Sequence, residues 1–259
     1  MARRQEFAAR RARHADRRPL TRLDDAELVA AEYADEGRLR RRAAAYTGAG
    51  TGLDARVPAV EAVKAAAPRR VLEVGCGWGE LAAWLAQETG ADVVAIDLSP
   101  RMVELARERG VDARVGDVQQ LAFPDASFDV AVAAWMLYHV PDLDRALAEL
   151  ARVVRPGGRL VAVTNSAFHL QELRELVASG PSPSTFTREN GEELLARHFG
   201  SVSRIDVDGV LEFPTRADVD EYVRASISMS PFVSSLPERI DERFFARRGN
   251  SVFVAERGA

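Results

Sequence analysis

Between residues 70 and 165 short runs of branched apolar residues alternate with stretches in which apolar side chains recur every three or four positions. The runs are Val71-Leu72-Glu73-Val74, Val93-Val94-Ala95-Ile96, Ala113-Arg114-Val115, Val130-Ala131-Val132-Ala133 and Leu160-Val161-Ala162-Val163, and they read as strands. The intervening pattern predicts helices from Glu80 to Thr89, Pro100 to Arg109 and Asp142 to Val154, with Ser99 as an N-cap ahead of Pro100. Strands that are apolar at nearly every position must be covered on both faces. The alternation therefore predicts an α/β fold built on a parallel sheet.

The flanks are less regular. A helix is expected from about Asp54 to Ala67, ended by Pro68. Before it, Leu28, Val29, Tyr33, Leu39 and Tyr46 recur loosely at helical spacing between Asp24 and Tyr46, giving an amphipathic cover segment that needs a partner surface. The Gly-rich run 47–52 follows this helical segment with no strand leading into it, so it reads as a hinge rather than a phosphate loop. Beyond Asn165, helices are expected near His169 to Ser179 and Arg188 to His198, then strands over Val202 to Val210 and Ser251 to Ala255. These last two are read as an antiparallel pair at the sheet edge, with residues 214–247 inserted between them. The resulting organisation is a basic tail and helical cover over 1–60, a core over 61–165, and a completion of the sheet with a pocket cover over 166–259.

The 259 residues are 47% apolar and 29% charged, enough for a buried core, which excludes a wholly disordered chain. A net charge of −4 gives no general attraction for polyanions, so nucleic acid is a disfavoured partner. Eight arginines fall within residues 1–22, without interleaved aromatic rings to stack bases, and read as a solvated helix or tail. Cys76 is the only cysteine, which rules out an intramolecular disulfide and a thiolate metal cluster and suits a reducing cytoplasm. No run is apolar and long enough to span a bilayer, so no membrane partner is expected. One lysine stands against 34 arginines, a bias that suggests a GC-rich bacterial genome.

The chemistry concentrates where the strands end. The first core strand runs into Glu73-Val74-Gly75-Cys76-Gly77-Trp78-Gly79, a turn whose glycines let a ligand lie against the main chain. The glycines fall at 75, 77 and 79, whereas a dinucleotide fingerprint wants one at Glu80. The next strand ends in Asp97, whose carboxylate can accept two ribose hydroxyls, and the third ends in Gly116-Asp117-Val118-Gln119, where Asp117 can accept from an adenine amine while Val118 packs on the ring. His139 follows the fourth strand and is a candidate general base, since an imidazole titrating near pH ~6.5 suits proton removal. The competing reading is a structural histidine bonded to backbone. His14, His169 and His198 lack ligand spacing, and no metal is expected.

Taken together, Glu73 to Gly79, Ala95-Ile96-Asp97-Leu98-Ser99, Gly116-Asp117, Phe123 to Asp129, Met136-Leu137-Tyr138-His139-Val140 and Leu150 to Gly158 resemble the class I S-adenosylmethionine-dependent methyltransferases, in particular the small-molecule type 11 group. The resemblance covers about residues 68–170. It implies a Rossmann-like seven-stranded sheet, mostly parallel with an antiparallel edge strand, helices on both faces and a helical N-terminal cover. It also implies methionine-moiety contacts at Gly75 and Gly77, ribose at Asp97, adenine edges at Leu98, Met102, Asp117 and Val118, and main-chain contacts near Ala134 and Trp135. Glu73, Cys76 and Gln119 complete the expected cofactor-binding set. The donor would be S-adenosylmethionine and the product S-adenosylhomocysteine. Trp135 stands where many relatives carry a small or polar residue.

In-line methyl transfer to an O, N or C nucleophile of a small metabolite is the activity this implies, since a sulfonium donor is already activated and alignment supplies most of the catalysis. The alternatives are a catalytically silent S-adenosylmethionine-binding or regulatory protein, and a protein methyltransferase. Material for the acceptor pocket is sought in the two ends of the chain, with Tyr33, Tyr46, Tyr138, Met229 and Phe232 as candidate lining. The sequence assigns no subunit partner.

Overall fold

The computed structural model describes residues 23–47, 50–177, 184–240 and 243–258, and a single twisted sheet organises them. Its strands are β1 (Gly50–Thr51), β2 (Arg70–Val74), β3 (Asp92–Asp97), β4 (Asp112–Val115), β5 (Phe128–Ala134), β6 (Val154–Asn165), β7 (Ser201–Phe213) and β8 (Phe244–Glu256). They lie in the order β1-β7-β8-β6-β5-β2-β3-β4. β2 to β6 are mutually parallel where they pair, whereas β8 runs antiparallel to both β6 and β7. The seven-stranded, mostly parallel sheet is thus present, and the long β7–β8 pair forms its margin. Among β2 to β8 the strand that opposes the others is β8, which lies between β6 and β7.

An eighth strand departs from the expectation of seven. Gly50 and Thr51, expected within a hinge, pair with Leu211 and Val210 of β7 and supply partners for backbone groups that would otherwise stand open on an edge. The approach is close at Gly209, where an added Cβ would lie 2.1 Å from the Thr51 carbonyl oxygen. Gly48 and Ala49, and the arginine-rich segment 1–22 read as a tail, lie outside the described residues.

Nine helices occur among the described residues: α1 (Ala26–Glu32), α2 (Gly37–Thr47), α3 (Arg56–Lys64), α4 (Glu80–Thr89), α5 (Pro100–Glu108), α6 (Leu143–Val153), α7 (Gln171–Val177), α8 (Gly191–Leu195) and α9 (Arg216–Ala225). Ser99 caps α5 by accepting from the Met102 N–H, with Pro100 in its first turn. Alternate residues of each core strand go to opposite faces. On β2, Leu72 and Val74 join Leu147, Leu150 and Phe253, while Val71 joins Val60, Val63, Leu81 and Leu85. A third cluster of Leu170, Leu173, Leu211, Phe213, Val219, Val223 and Met229 lies under the C-terminal insertion and gives that cover a core of its own.

The two covers are also tied to each other and to the sheet. Arg38 on α2 donates to the Ser226 carbonyl at 3.4 Å and to Ser230 Oγ at 2.8 Å, and Arg42 donates to the Ala225 carbonyl at 2.5 Å. The residue between α1 and α2, Tyr33, accepts from Ser99 Oγ through its carbonyl at 2.7 Å, and Glu36 pairs with Arg101 on α5 at 3.1 Å. These contacts hold the cover above the carboxyl ends of β2, β3 and β5. From β2 the chain goes to β3 and β4 on one side and then returns to β5 on the other, and open α/β sheets leave a crevice at such a reversal.

Candidate active site

At the end of β2 the chain turns through Gly75, Cys76 and Gly77 into α4. Asp97, at the end of β3, clamps this turn by accepting from the Gly77 N–H at 2.8 Å and from the Ser99 N–H at 2.9 Å. The two glycines have different work. Both have positive φ, but a Cβ at Gly75 would meet Met136 Cβ at 2.6 Å, whereas one at Gly77 would find only Leu39 at 3.8 Å. Gly75 is thus required by packing, and Gly77 presents bare main chain to open space.

That space is a cavity of about 730 Å³. It is lined by Glu73, Gly75, Cys76, Gly77, Asp97, Leu98, Asp117, Val118, Gln119, Ala134 and Trp135, all from the sequence-predicted cofactor set. Met102 is the member that does not line it. It lies on the sheet-facing side of α5 and is fully buried, because its place in the apolar stripe of that helix turns it inward. Leu98, by contrast, is 56% exposed at the rim and offers an apolar platform. Asp117 accepts from the Gln119 N–H at 2.8 Å, which fixes the loop after β4.

Glu73 is buried, and its Oε2 has no hydrogen-bond partner. Burial first, and the nearby Asp97 second, push its carboxyl up to about 8. Burial likewise raises Asp97, against the lowering effect of the Ser99 and Gly77 N–H groups. This end of the cavity therefore holds two carboxyl groups whose charge is poorly compensated within the protein.

A second cavity, of about 450 Å³, adjoins the first, and Tyr33, Leu39, Trp135 and His139 line both. The candidate acceptor residues Tyr33, Tyr46, Tyr138 and Met229 line it; Phe232 does not, and packs instead on the apolar cluster of the insertion. Trp135 sits at φ +53, an uncommon conformation for an aromatic residue, with its N–H fixed to the Val163 carbonyl at 2.8 Å. Its ring thereby becomes part of the wall between the cavities. His139 occupies a short 3₁₀ turn (Leu137–His139) just past β5. Its Nδ1–H donates to the Leu23 carbonyl at 2.7 Å, so Nε2 is left to accept from the Tyr33 hydroxyl at 3.0 Å. Burial lowers this imidazole to about 4 rather than leaving it near 6.5, so it is neutral at pH 7.

The second cavity also contains Arg42, Arg174, Arg248 and Asn250, which pattern alone passes over, together with His169 and Tyr222. One signal was present. Arg174 falls at the spacing of Leu170, Leu173 and Val177, on the apolar stripe of α7, where a charge is out of place unless it has a function. Among the described residues no cluster of three or more His, Cys, Asp or Glu side chains could hold a metal ion, and no helix is long and apolar enough to cross a membrane.

Residues 72–162 match the methyltransferase domain family. Over 108 residues the chain is 44% identical to methyltransferase GfsG of Streptomyces halstedii, a stretch that covers 39% of each chain. It is 39% identical over 121 residues to demethylmenaquinone methyltransferase of Thermus thermophilus, covering 44% of this chain and 55% of that one. The matched stretch thus spans about half or less of these relatives' length. Among solved structures, the [4+2]-cyclase SpnF superposes with a TM-score of 0.59 at 20% identity, over 94% of this chain and 100% of that one, a likeness of fold.

Proposed function

We propose, from the match of residues 72–162 to the methyltransferase domain family, that the protein is a class I S-adenosylmethionine-dependent methyltransferase and transfers the donor's methyl group to a small-molecule metabolite held in the second cavity. The observation that carries this reading is the junction of the two cavities at Tyr33, Leu39, Trp135 and His139. A ligand in each would meet end to end beneath the cover, away from bulk water.

The first cavity suits the donor on three counts. The buried Glu73 carboxyl, whose Oε2 lacks a hydrogen-bond partner, suits a cationic partner such as the ammonium of a methionine moiety. Asp97 has lone pairs left for ribose hydroxyls after accepting two backbone N–H groups, and Leu98 with Val118 offers apolar surface for an adenine ring edged by Asp117. Gly77 lets a ligand approach the main chain. When bound, S-adenosylmethionine supplies an electrophilic methyl on a sulfonium. Everything else falls to the protein. Trp135 and Leu39 shape the passage and exclude water, and the acceptor is aligned by the walls of the second cavity. Where the acceptor must lose a proton, Tyr33 Oη is the group positioned to take it, passing its own proton to His139 Nε2, while the Leu23 carbonyl keeps the imidazole in the required tautomer. The low lysine content and the single cysteine support a bacterial, cytoplasmic setting for this activity.

The test is product formation. Supplied with S-adenosylmethionine and fractionated metabolites, the protein should release S-adenosylhomocysteine with one fraction and a methylated compound should appear in it. Tight donor binding with no turnover on any fraction would favour the silent, ligand-binding alternative, and turnover only on a protein fraction would favour a protein methyltransferase. Fold likeness alone decides neither.

A further inference from the structure

Two arginines in the second cavity lack a paired carboxylate. Arg174 on α7 and Arg248 on β8 are 6% and 9% exposed. The other arginines of the cavity are neutralised: Arg42 pairs with Glu32, and Arg56 with Asp54 at 2.6 Å and Glu80 at 2.9 Å. Among the described residues neither Arg174 nor Arg248 forms an ion pair, and the Nε of each is buried without a hydrogen-bond partner. Glu172 and Glu175, on the same helix as Arg174, act on it only at a distance, and burial outweighs them, lowering its guanidinium to about 10. The hydrogen bonds of both arginines go to backbone carbonyls. Arg174 donates to those of His169 and Ala167, and Arg248 to those of Gly52 and Leu53, at 2.6 and 2.9 Å. A guanidinium has five N–H donors, so most of each group's capacity remains. Asp54, already paired with Arg56, acts on Arg248 only at a distance; two buried cations without a carboxylate in contact are unfavourable for folding, and binding an anion beside them removes that penalty.

His169 links the pair. Its carbonyl accepts from Arg174, and its ring Nδ1 lies 3.2 Å from both the N–H and the carbonyl of Gly249, the neighbour of Arg248. In the tautomer whose Nδ1 accepts from that N–H, Nε2–H donates to Tyr46 Oη at 2.9 Å, and Tyr46 in turn donates to Tyr222 Oη at 3.3 Å. The Tyr222 O–H at the end of this chain, near Arg174 and Arg42, is then free to donate to a ligand, and an anion beside it selects that tautomer. Arg174, Arg248 and Tyr222 line the second cavity but not the first.

We propose that the acceptor carries an oxyanion, a carboxylate or a phosphate, held by Arg174 and Arg248 with the Tyr222 hydroxyl as a third donor. This rests on the methyl-transfer reading and deepens it. The anionic end of the acceptor is held away from the donor, which turns its other end, bearing the nucleophile, to the junction at Tyr33 and His139. Guanidinium groups suit such a role because they stay charged when desolvated and present paired donors to two oxygens.

The test titrates acetate and inorganic phosphate separately into the full chain saturated with S-adenosylhomocysteine, at ionic strength held constant with chloride, following Trp fluorescence and heat. Saturable one-to-one binding is expected at about millimolar concentration, weakened about tenfold or more by Arg174→Met and by Arg248→Met, with Arg174→Lys intermediate. Affinity for S-adenosylhomocysteine should stay within about twofold in all three, which also certifies that they are folded. Acetate alone binding assigns a carboxylate, and phosphate alone assigns a phosphate. No saturable binding of either, or binding that both Met variants retain, overturns the inference. Failure of the wild-type protein to bind S-adenosylhomocysteine would instead overturn the donor reading on which it rests.

Discussion

The hydroxyl of Tyr33 lies 3.0 Å from Nε2 of His139, joining the N-terminal cover to the turn after β5 at the place where the two cavities meet. Because the Nδ1–H donates to the Leu23 carbonyl at 2.7 Å, the imidazole faces the tyrosine as an acceptor. A cover residue and a core residue are thus joined by one hydrogen bond, which depends on the packing of the cover against the sheet.

Tyr33→Phe and His139→Ala should each lower kcat by about 100-fold or more while affinity for S-adenosylhomocysteine changes little, the pattern of groups that act in the transition state. Steady-state kinetics beside calorimetry separate the two effects. Unchanged turnover in both variants would return the pair to a structural role. Because burial lowers His139 to about 4, its base form persists through mild acid, so kcat/KM should show no inflection from this imidazole between pH 5 and 8.

The same burial has a consequence for stability. His139 and His169 are lowered to about 4 and about 3, so between those values and the ordinary 6.5 the unfolded chain binds more protons than the folded one. Their full contribution is therefore present above pH 6.5 and is lost as pH falls toward 3 to 4. Denaturant titrations from pH 7 to 4 should show a decline that His139→Asn flattens by roughly 2–3 kcal/mol, since each tenfold loss of proton affinity on folding corresponds to ~1.4 kcal/mol. An identical pH dependence in the variant would contradict the assigned burial.

Glu73 has the opposite sign. Its carboxyl is raised to about 8, so the folded protein holds a proton above pH 4.5 that the unfolded chain has released, and stability falls as pH rises toward 8. Glu73→Gln should raise the melting temperature of the ligand-free protein at pH 8 by at least ~2 °C, yet weaken S-adenosylmethionine binding. A variant that gains stability and keeps full affinity would remove Glu73 from the donor site.

The glycine turn offers a paired comparison. Gly75→Ala should lower the melting temperature, because its Cβ would collide with Met136 at 2.6 Å, whereas Gly77→Ala, which meets only Leu39 at 3.8 Å and bears the strain of φ +52 alone, should cost less stability yet weaken donor binding. Asp97→Ala should weaken S-adenosylmethionine and S-adenosylhomocysteine alike by about 10- to 100-fold, since a charge-assisted contact contributes roughly 1.5–3 kcal/mol. It also releases the Gly77 and Ser99 N–H groups, so Asp97→Asn, which keeps a carbonyl acceptor, should lose less. Calorimetry with near-equal affinities for Asn, Ala and wild type would argue that the carboxylate does not touch the ligand.

Local pattern determined the parallel core, because strand and helix periodicities and the Ser99-Pro100 start signal are properties of neighbours in the chain. It also determined which residues stand at the carboxyl ends of β2, β3, β4 and β5, and these line the first cavity. Where pattern went astray, the reason was either the face a side chain takes on its own helix or the packing of distant elements. Met102 is turned inward by the stripe of α5, Phe232 is claimed by the apolar cluster of the insertion, and Gly50-Thr51 becomes a strand only because β7 offers an open edge beside Gly209. The second cavity has Tyr33, Tyr46, Tyr138 and Met229 in its lining, as sought from the sequence, but its charged side was decided by tertiary structure alone. Arg42, Arg174, Tyr222 and Arg248 come from four separate elements, and no spacing along the chain relates them. The depressed His139 is a tertiary property as well: burial sets its proton affinity, and burial exists only once the cover has closed over the sheet.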